Sequence, residues 1–187
     1  EIVKRTGVKP EEIGDCVTGC ANQSGEQWMY GGKTVGLMGL PLDVPAMTID
    51  RQCASSLSTV HWGAMSIMCG VTDVVLAGGI EHMTHVPMGG GGIVPPEKLL
   101  EDKRFDVVVA MNMGLTAEKL FDEAGDITKE DMDRWSLRSH LKAGKAIKEG
   151  FFKGEILPVK VTQSDGTEKV IDTDQSIRAD TTYEKIV

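Results

Sequence analysis

Three short runs constrain the fold more than any other feature: DCVTGC (15–20), PAMTID (45–50) and DVVLAGG (73–79). The first alternates like a strand and the second is strand-like. The third is apolar throughout its middle, as expected of a strand covered on both faces. Between the second and third, Leu57, Val60, Ala64, Ile67 and Met68 recur at helical spacing, and Gly70 stops the pattern. Between the first and second, TVGLMGLPLDV forms a weaker helix that Pro41 breaks. Strand, helix, strand, helix, strand is the order of a layered α/β sheet.

The segments on either side fit this frame. EIVKRTGVKPEEIGD looks like the end of one helix, a stop at Gly7 and a short turn opened by Pro10. ANQSGEQWMYGGKT is polar and glycine-rich, hence a loop. HVPMGGGGIVPPEKLLEDKRF (85–105) has four consecutive glycines and two adjacent prolines, so the sheet is left at about this point. A first domain over 1–84 and a second over 85–187 are expected. In the second, Thr128 caps a helix with Asp131 three residues on, and Met132, Trp135, Ala143 and Ile147 give that helix an apolar stripe ending at Gly150. GEILPVKV is strand-like, and SDG (164–166) turns the chain into TEKVID.

Composition narrows the function classes. The 187 residues carry 20 Lys+Arg against 28 Asp+Glu, a formal charge of −8. Non-specific nucleic-acid binding needs basic surface to displace counterions, so no nucleic-acid partner is expected. No apolar run reaches the length of a membrane span and no signal peptide is visible, which points to the cytoplasm. Cys16, Cys20, Cys53 and Cys69 are read as reduced thiols. Cys16 and Cys20 could pair on a metal, but their spacing suits no common zinc knuckle, and structural thiols are the better reading.

The chemistry concentrates at IDRQCASSLSTVHWGAMSIMCG (49–70), where a thiol sits at the seam of a strand and a helix. In the first helical turn Cys53 would face free backbone N–H groups and the positive end of the dipole. Both favour thiolate, the nucleophilic form. The same N–H groups can hold an oxyanion. Ala54, Ser55 and Ser56 leave room for a substrate. On these grounds alone a small buried hydrophobe with serine caps is the commoner case. His61, two helical turns on, is too distant to pair with the thiol.

A wider match favours the nucleophile. IDRQCASSLSTVHWGAMSIMCGVTDVVLAGGIEHMTHVPM resembles the active-site segment of the thiolases, and GGIEHMTHVPM is most similar to degradative 3-ketoacyl-CoA thiolases. MNMGLTAEKL, ITKEDMDRWSLRSH, FFKGEILPV and IRADTTYEKI follow in thiolase order. The resemblance implies a thiolase-like layered α/β fold, a mixed sheet with helices on both faces and an inserted α/β loop domain. It implies acyl transfer through a thioester on Cys53, with coenzyme A or acyl-CoA as substrate and no permanently bound cofactor or metal. The Cys53 N–H would contribute to the oxyanion hole. Asn112, Met113 and Gly114 sit where thiolases place the loop beside the acyl group and pantetheine; many relatives have His in place of Asn112. His140 falls on the helix position that can touch CoA, and Arg178 aligns with the arginine at its adenine end. His82 and His85 fall in a structural segment near an interface.

The resemblance also shows what is missing. The histidine base, the second cysteine and the water-orienting Asn-Glu-Ala-type motif of thiolases have no counterpart: there is no GHP and no CxGxG. The chain therefore reads as most of the N-terminal half plus an incomplete loop domain, cut at both ends and inactive alone. A short segment between Gly79 and Met113 favours a homodimer over a dimer of dimers, with a multienzyme-complex subunit as a further arrangement. Two other readings remain: a ketoacyl or hydroxymethylglutaryl-CoA synthase, and a non-catalytic CoA- or lipid-binding relative. GGIEHM and MNMGLTAE favour thiolase over the synthases, and Cys53 argues against the non-catalytic relative.

Overall fold

The structure is a computed structural model that describes residues 1–28, 35–88, 96–101 and 104–187. The glycine run at 89–92 and the loop over 29–34 lie outside the described residues. The chain forms two compact units, Glu1–Pro96 and Glu97–Val187.

The first unit opens with α1 (Ile2–Thr6), which ends at Gly7, and a 3-10 turn begins at Pro10. Strands β1 (Asp15–Gly19), β2 (Ala46–Ile49) and β3 (Val75–Gly79) form one parallel sheet in the order β2-β1-β3. Cys16 pairs with Ala46 and Leu76, and Gly19 with Ile49 and Gly79. Helix α2 (Val35–Gly39) connects β1 to β2, and α3 (Ser55–Met68) connects β2 to β3.

The two connections cross the sheet in opposite directions, one from β1 out to β2 and the other from β2 back past β1 to β3, so right-handed crossovers place their helices on opposite faces. Local contacts agree. A Cβ on Gly36 of α2 would touch Ala46, whereas one on Gly63 of α3 would touch Val75. Ala46 and Val75 lie on opposite faces, because Ala46 pairs with Cys16 and Val75 with Asp15. The core follows from this layering. Central β1 is the covered strand: Cys16 and Val17 are fully buried, and Cys20 just beyond it nearly so.

Two expectations change here. Strand β3 is an edge strand, half-buried at Val75–Ala77 and exposed at Gly78 and Gly79, and not covered on both faces. Its apolar run reflects a parallel strand, but β1 took the central place. In α3 the face against the sheet is Ser55, Ser58, Thr59 and Gly63, all buried. Leu57, Val60, Met65, Ile67 and Met68 are exposed. The helix approaches the strand backbone closely: Thr59 Oγ1 donates to the Gly78 carbonyl at 3.1 Å, a distance that only small side chains permit.

In the second unit α4 (Glu97–Leu100) and α5 (Phe105–Ala110) precede α6 (Met113–Ala124) and the 20-residue α7 (Lys129–Lys148). Thr128 and Asp131 form the expected capping box on α7. The expected stripe is partly open: Trp135 is exposed, with the Arg138 guanidinium 4.8 Å above its ring. Strands β4 (Val159–Thr162) and β5 (Glu168–Ile171) pair antiparallel across the SDG turn. No described helix is long and apolar enough to cross a membrane.

Candidate active site

Cys53 lies in the turn that joins β2 to α3. It stands two residues before the first helical residue, with Ala54 as N-cap, rather than inside the first turn. It is exposed and free, which removes the reading of a buried small hydrophobe. The turn is held by its neighbours. Gln52 N–H donates to Asp50 Oδ1 at 2.8 Å. Ser55 Oγ donates to the Gln52 carbonyl at 2.6 Å and accepts from the Arg51 N–H at 2.9 Å. These bonds keep Gln52 at φ 49°, a left-handed conformation that a non-glycine residue adopts only when its surroundings enforce it. The serine is thus a clamp on the turn rather than a cap.

All three strands point their carboxyl ends at one place. The order β2-β1-β3 makes β1 a topological switch point, where open α/β sheets bind ligands. A cavity of about 440 Å³ lies there. Its walls are residues 19–22 at the end of β1, 52, 53, 55 and 56 around the thiol, and 79–81 and 83 at the end of β3, with Met88 closing one side. The helix end can enter this corner because β1 and β3 end in glycine. A Cβ on Gly19 would lie 2.6 Å from the Ser56 N, and one on Gly79 would lie 1.9 Å from Ser56 Oγ.

The cavity wall contains a polar network that the sequence did not reveal. Gln27 is 1% exposed. Its Nε2 donates to Glu81 Oε1 at 2.7 Å and to the Asn22 carbonyl at 2.8 Å, while its Oε1 accepts from the His82 N–H. Glu81 Oε2 accepts from the Ala21 N–H at 2.9 Å. Asn22 Nδ2 donates to the Val86 and Pro87 carbonyls, both at 3.2 Å. The loops after β1 and β3 are therefore stitched together around the thiol. Glu81 stood in the GGIEHM motif, which was the available signal; Gln27 lay in a stretch read only as loop. Burial pushes the Cys20 thiol up, and the Glu81 carboxylate adds to this. Burial also raises Cys16. Of the two cysteines that line the cavity, Cys20 is buried and Cys53 is exposed. Among the described residues, no imidazole or amine lines the cavity.

The other expected site residues lie in the second unit. Asn112 caps α6, its Oδ1 accepting from the Gly114 and Leu115 N–H groups at 2.9 and 3.2 Å. Met113 is exposed, and Gly114 packs under the cap, where a Cβ would meet Asn112 Oδ1 at 3.1 Å. His140 and Arg178, 38 residues apart, come together: the Arg178 N–H donates to His140 Nδ1 at 3.2 Å. One turn along α7, Gly144 lets Ala179 press against the helix, since a Cβ there would sit 2.6 Å from that of Ala179. His61 is an exposed residue of α3.

Comparison with known proteins bears on the whole chain. The family model described as thiolase, N-terminal domain, matches residues 1–187. The chain belongs to the thiolase family. It is 40% identical over 184 residues to a 3-ketoacyl-CoA thiolase of Vibrio vulnificus (strain CMCP6), covering 98% of this chain and 46% of that protein. It is 38% identical over 191 residues to a 3-ketoacyl-CoA thiolase of Bacillus subtilis (strain 168), covering 97% and 48%. The crystal structure of the Bacillus anthracis acetyl-CoA acetyltransferase superposes with a TM-score of 0.76 at 34% identity, over 98% of this chain and 48% of that one. The chain thus spans about half the length of the curated thiolases it matches. The α/β architecture expected of a thiolase is the one observed.

Proposed function

We propose that this chain supplies the nucleophilic half of a thiolase, an acyltransferase acting on CoA thioesters through Cys53. One observation carries the proposal: an exposed thiol in a cavity at the carboxyl ends of three parallel strands, beside the start of a helix. The names of the relatives, 3-ketoacyl-CoA thiolase and acetyl-CoA acetyltransferase, support the reaction class.

In the cleavage direction the Cys53 thiolate bonds to the 3-keto carbon of a 3-ketoacyl-CoA. The carbon–carbon bond to the acetyl-CoA portion breaks, and that portion leaves with a proton. The thiol of a second CoA then attacks the Cys53 thioester, releasing a shortened acyl-CoA and the free cysteine. In the condensing direction two acetyl-CoA molecules yield acetoacetyl-CoA and CoA. The Cys53 N–H donates to the oxyanion, and the fixed Gln52–Ser55 turn orients it. Neither direction runs without a base for the thiol. None of the described residues that line the cavity can serve, so the base is assigned to a part of the whole protein outside them, and the 187-residue chain alone is expected not to turn over.

The first unit is assigned as the thiolase N-terminal core and the second as its loop domain. Asn112–Gly114 would border the acyl–pantetheine path, and the His140–Arg178 pair the CoA nucleotide; their hydrogen bond supports treating these two as one contact surface. Four free cysteines support a cytoplasmic location, and a homodimer is the proposed assembly. The test is CoA-dependent cleavage of acetoacetyl-CoA. The whole protein should cleave it, Cys53→Ser should not, and residues 1–187 alone should be inactive. Cleavage by the Cys53→Ser protein would refute the assignment.

A further inference from the structure

Outside the cavity, three potential metal ligands from two loops meet at one point. Glu26 Oε1 lies 2.7 Å from His85 Nδ1 and 3.3 Å from His82 Nδ1. One ligand atom from each of the three lies within 4.8 Å of the others, and the two imidazole rings stand 4.1 Å apart. We propose that Glu26, His82 and His85 form a binding site for a divalent transition-metal ion of the zinc class, which clamps the loop after β3 to the turn after β1.

The donor set selects the ion. Two imidazoles and a carboxylate suit zinc, nickel, cobalt or copper, whereas magnesium and calcium prefer oxygen ligands throughout. Two of the three ligand–ligand edges fit as well, and the third lies within 4.8 Å. With metal–ligand bonds of about 2.1 Å, neighbouring ligands lie about 3.4 Å apart around a tetrahedral ion and about 3.0 Å apart around an octahedral one. The two Glu26–His separations fall close to these edges. The side chains are 41–59% exposed, so an ion can enter from solvent and the remaining positions can hold water.

The backbone beneath the three is already fixed, independently of the ligands. Gln27, adjacent to Glu26, is buried and accepts the His82 N–H through its side chain. The turn after His82 closes with the His85 and Val86 N–H groups donating to the His82 carbonyl at 3.2 and 2.9 Å, which puts His85 beside His82. Glu26 and Gln27 thus face opposite ways from one 3-10 turn, one outward to the imidazoles and one inward to the core. Glu81 and Met83 of the same loop line the Cys53 cavity, so an ion here would brace the cavity wall from outside without touching the thiol.

The test is equilibrium dialysis of the chain against zinc ions alone, with Cys53 and Cys69 alkylated beforehand to remove thiolate ligands. Metal is counted by elemental analysis, and thermal melting is followed in parallel. One zinc per chain and a rise in Tm are expected for the unsubstituted chain. His85→Ala and Glu26→Gln should each weaken binding about 10- to 100-fold and abolish the rise, with the metal-free Tm unchanged because these side chains are exposed. Cobalt, added in place of zinc, should show a ligand-field spectrum that the double variant H82A/H85A lacks. No stoichiometric zinc, or zinc held equally well by H82A/H85A, would overturn the proposal.

Discussion

At the residue scale the four cysteines differ in their surroundings. Cys16 and Cys20 are buried, and burial raises both thiols, so each resists thiolate formation. Cys53 and Cys69 are exposed. Iodoacetamide at mildly alkaline pH should label Cys53 and Cys69 and spare Cys16 and Cys20, as read by peptide mass mapping. In the whole protein Cys53 should outpace Cys69 if a base serves it. The raised thiols also set a sign for stability. Their neutral forms are favoured on folding, so their contribution is complete below the ordinary thiol range and is lost as pH rises from that range through the raised folded-state values. Ser55 is the second residue to test. Ser55→Ala removes both bonds of the Cys53 turn and leaves the Arg51 N–H and Gln52 carbonyl without that partner, a loss of about 1–3 kcal/mol by denaturant unfolding. Cys53 alkylation should slow with it, whereas a merely structural serine would leave the rate unchanged.

At the element scale the close seat of α3 on the sheet is the feature that places the thiol. Gly19→Ala puts a methyl group 2.6 Å from helix backbone atoms that cannot swing aside. A loss of about 1–3 kcal/mol is expected, with a change in Cys53 labelling rate. A Gly19→Ala protein of unchanged stability would show that α3 is not held this close. In the other unit, Thr128 holds the Asp131 carboxyl below its usual range through side-chain and backbone hydrogen bonds. A depressed carboxyl stabilises above its unfolded pKa and loses that contribution as pH falls through the folded value. The gap in Tm between the unsubstituted chain and Thr128→Ala should therefore narrow toward acid. The order of these elements was legible from the spacing of apolar residues, because strand and helix periods differ. Which face of α3 would be covered was not legible. Period alone marks Leu57, Val60 and Ala64 as the inner face, but the sheet accepts only Ser55, Ser58, Thr59 and Gly63 at backbone distance. The place of β3 at the sheet edge likewise depends on crossover topology, which local pattern does not encode.

At the scale of the whole molecule, Leu57, Val60, Met65, Ile67 and Met68 give α3 an exposed apolar face. The isolated 187 residues should bind the dye ANS strongly and self-associate on size exclusion, and an α3 face dyed no more than an ordinary protein surface would contradict that. The strand–helix seam and the family were both readable from RQCASS and GGIEHM, since they depend on local residues. Gln27 and its bonds to Glu81 and His82 were not, because nothing local says that residues 54 or 55 positions apart will meet. The acyl-enzyme remains the central claim. It is tested most directly by incubating the whole protein with acetyl-CoA, quenching in acid and mapping the peptides by mass spectrometry. One acetyl group on the peptide that carries Cys53, removed by added CoA and missing from Cys53→Ser, is the expected result. An unmodified Cys53 in a protein that still transfers acetyl groups would contradict the account.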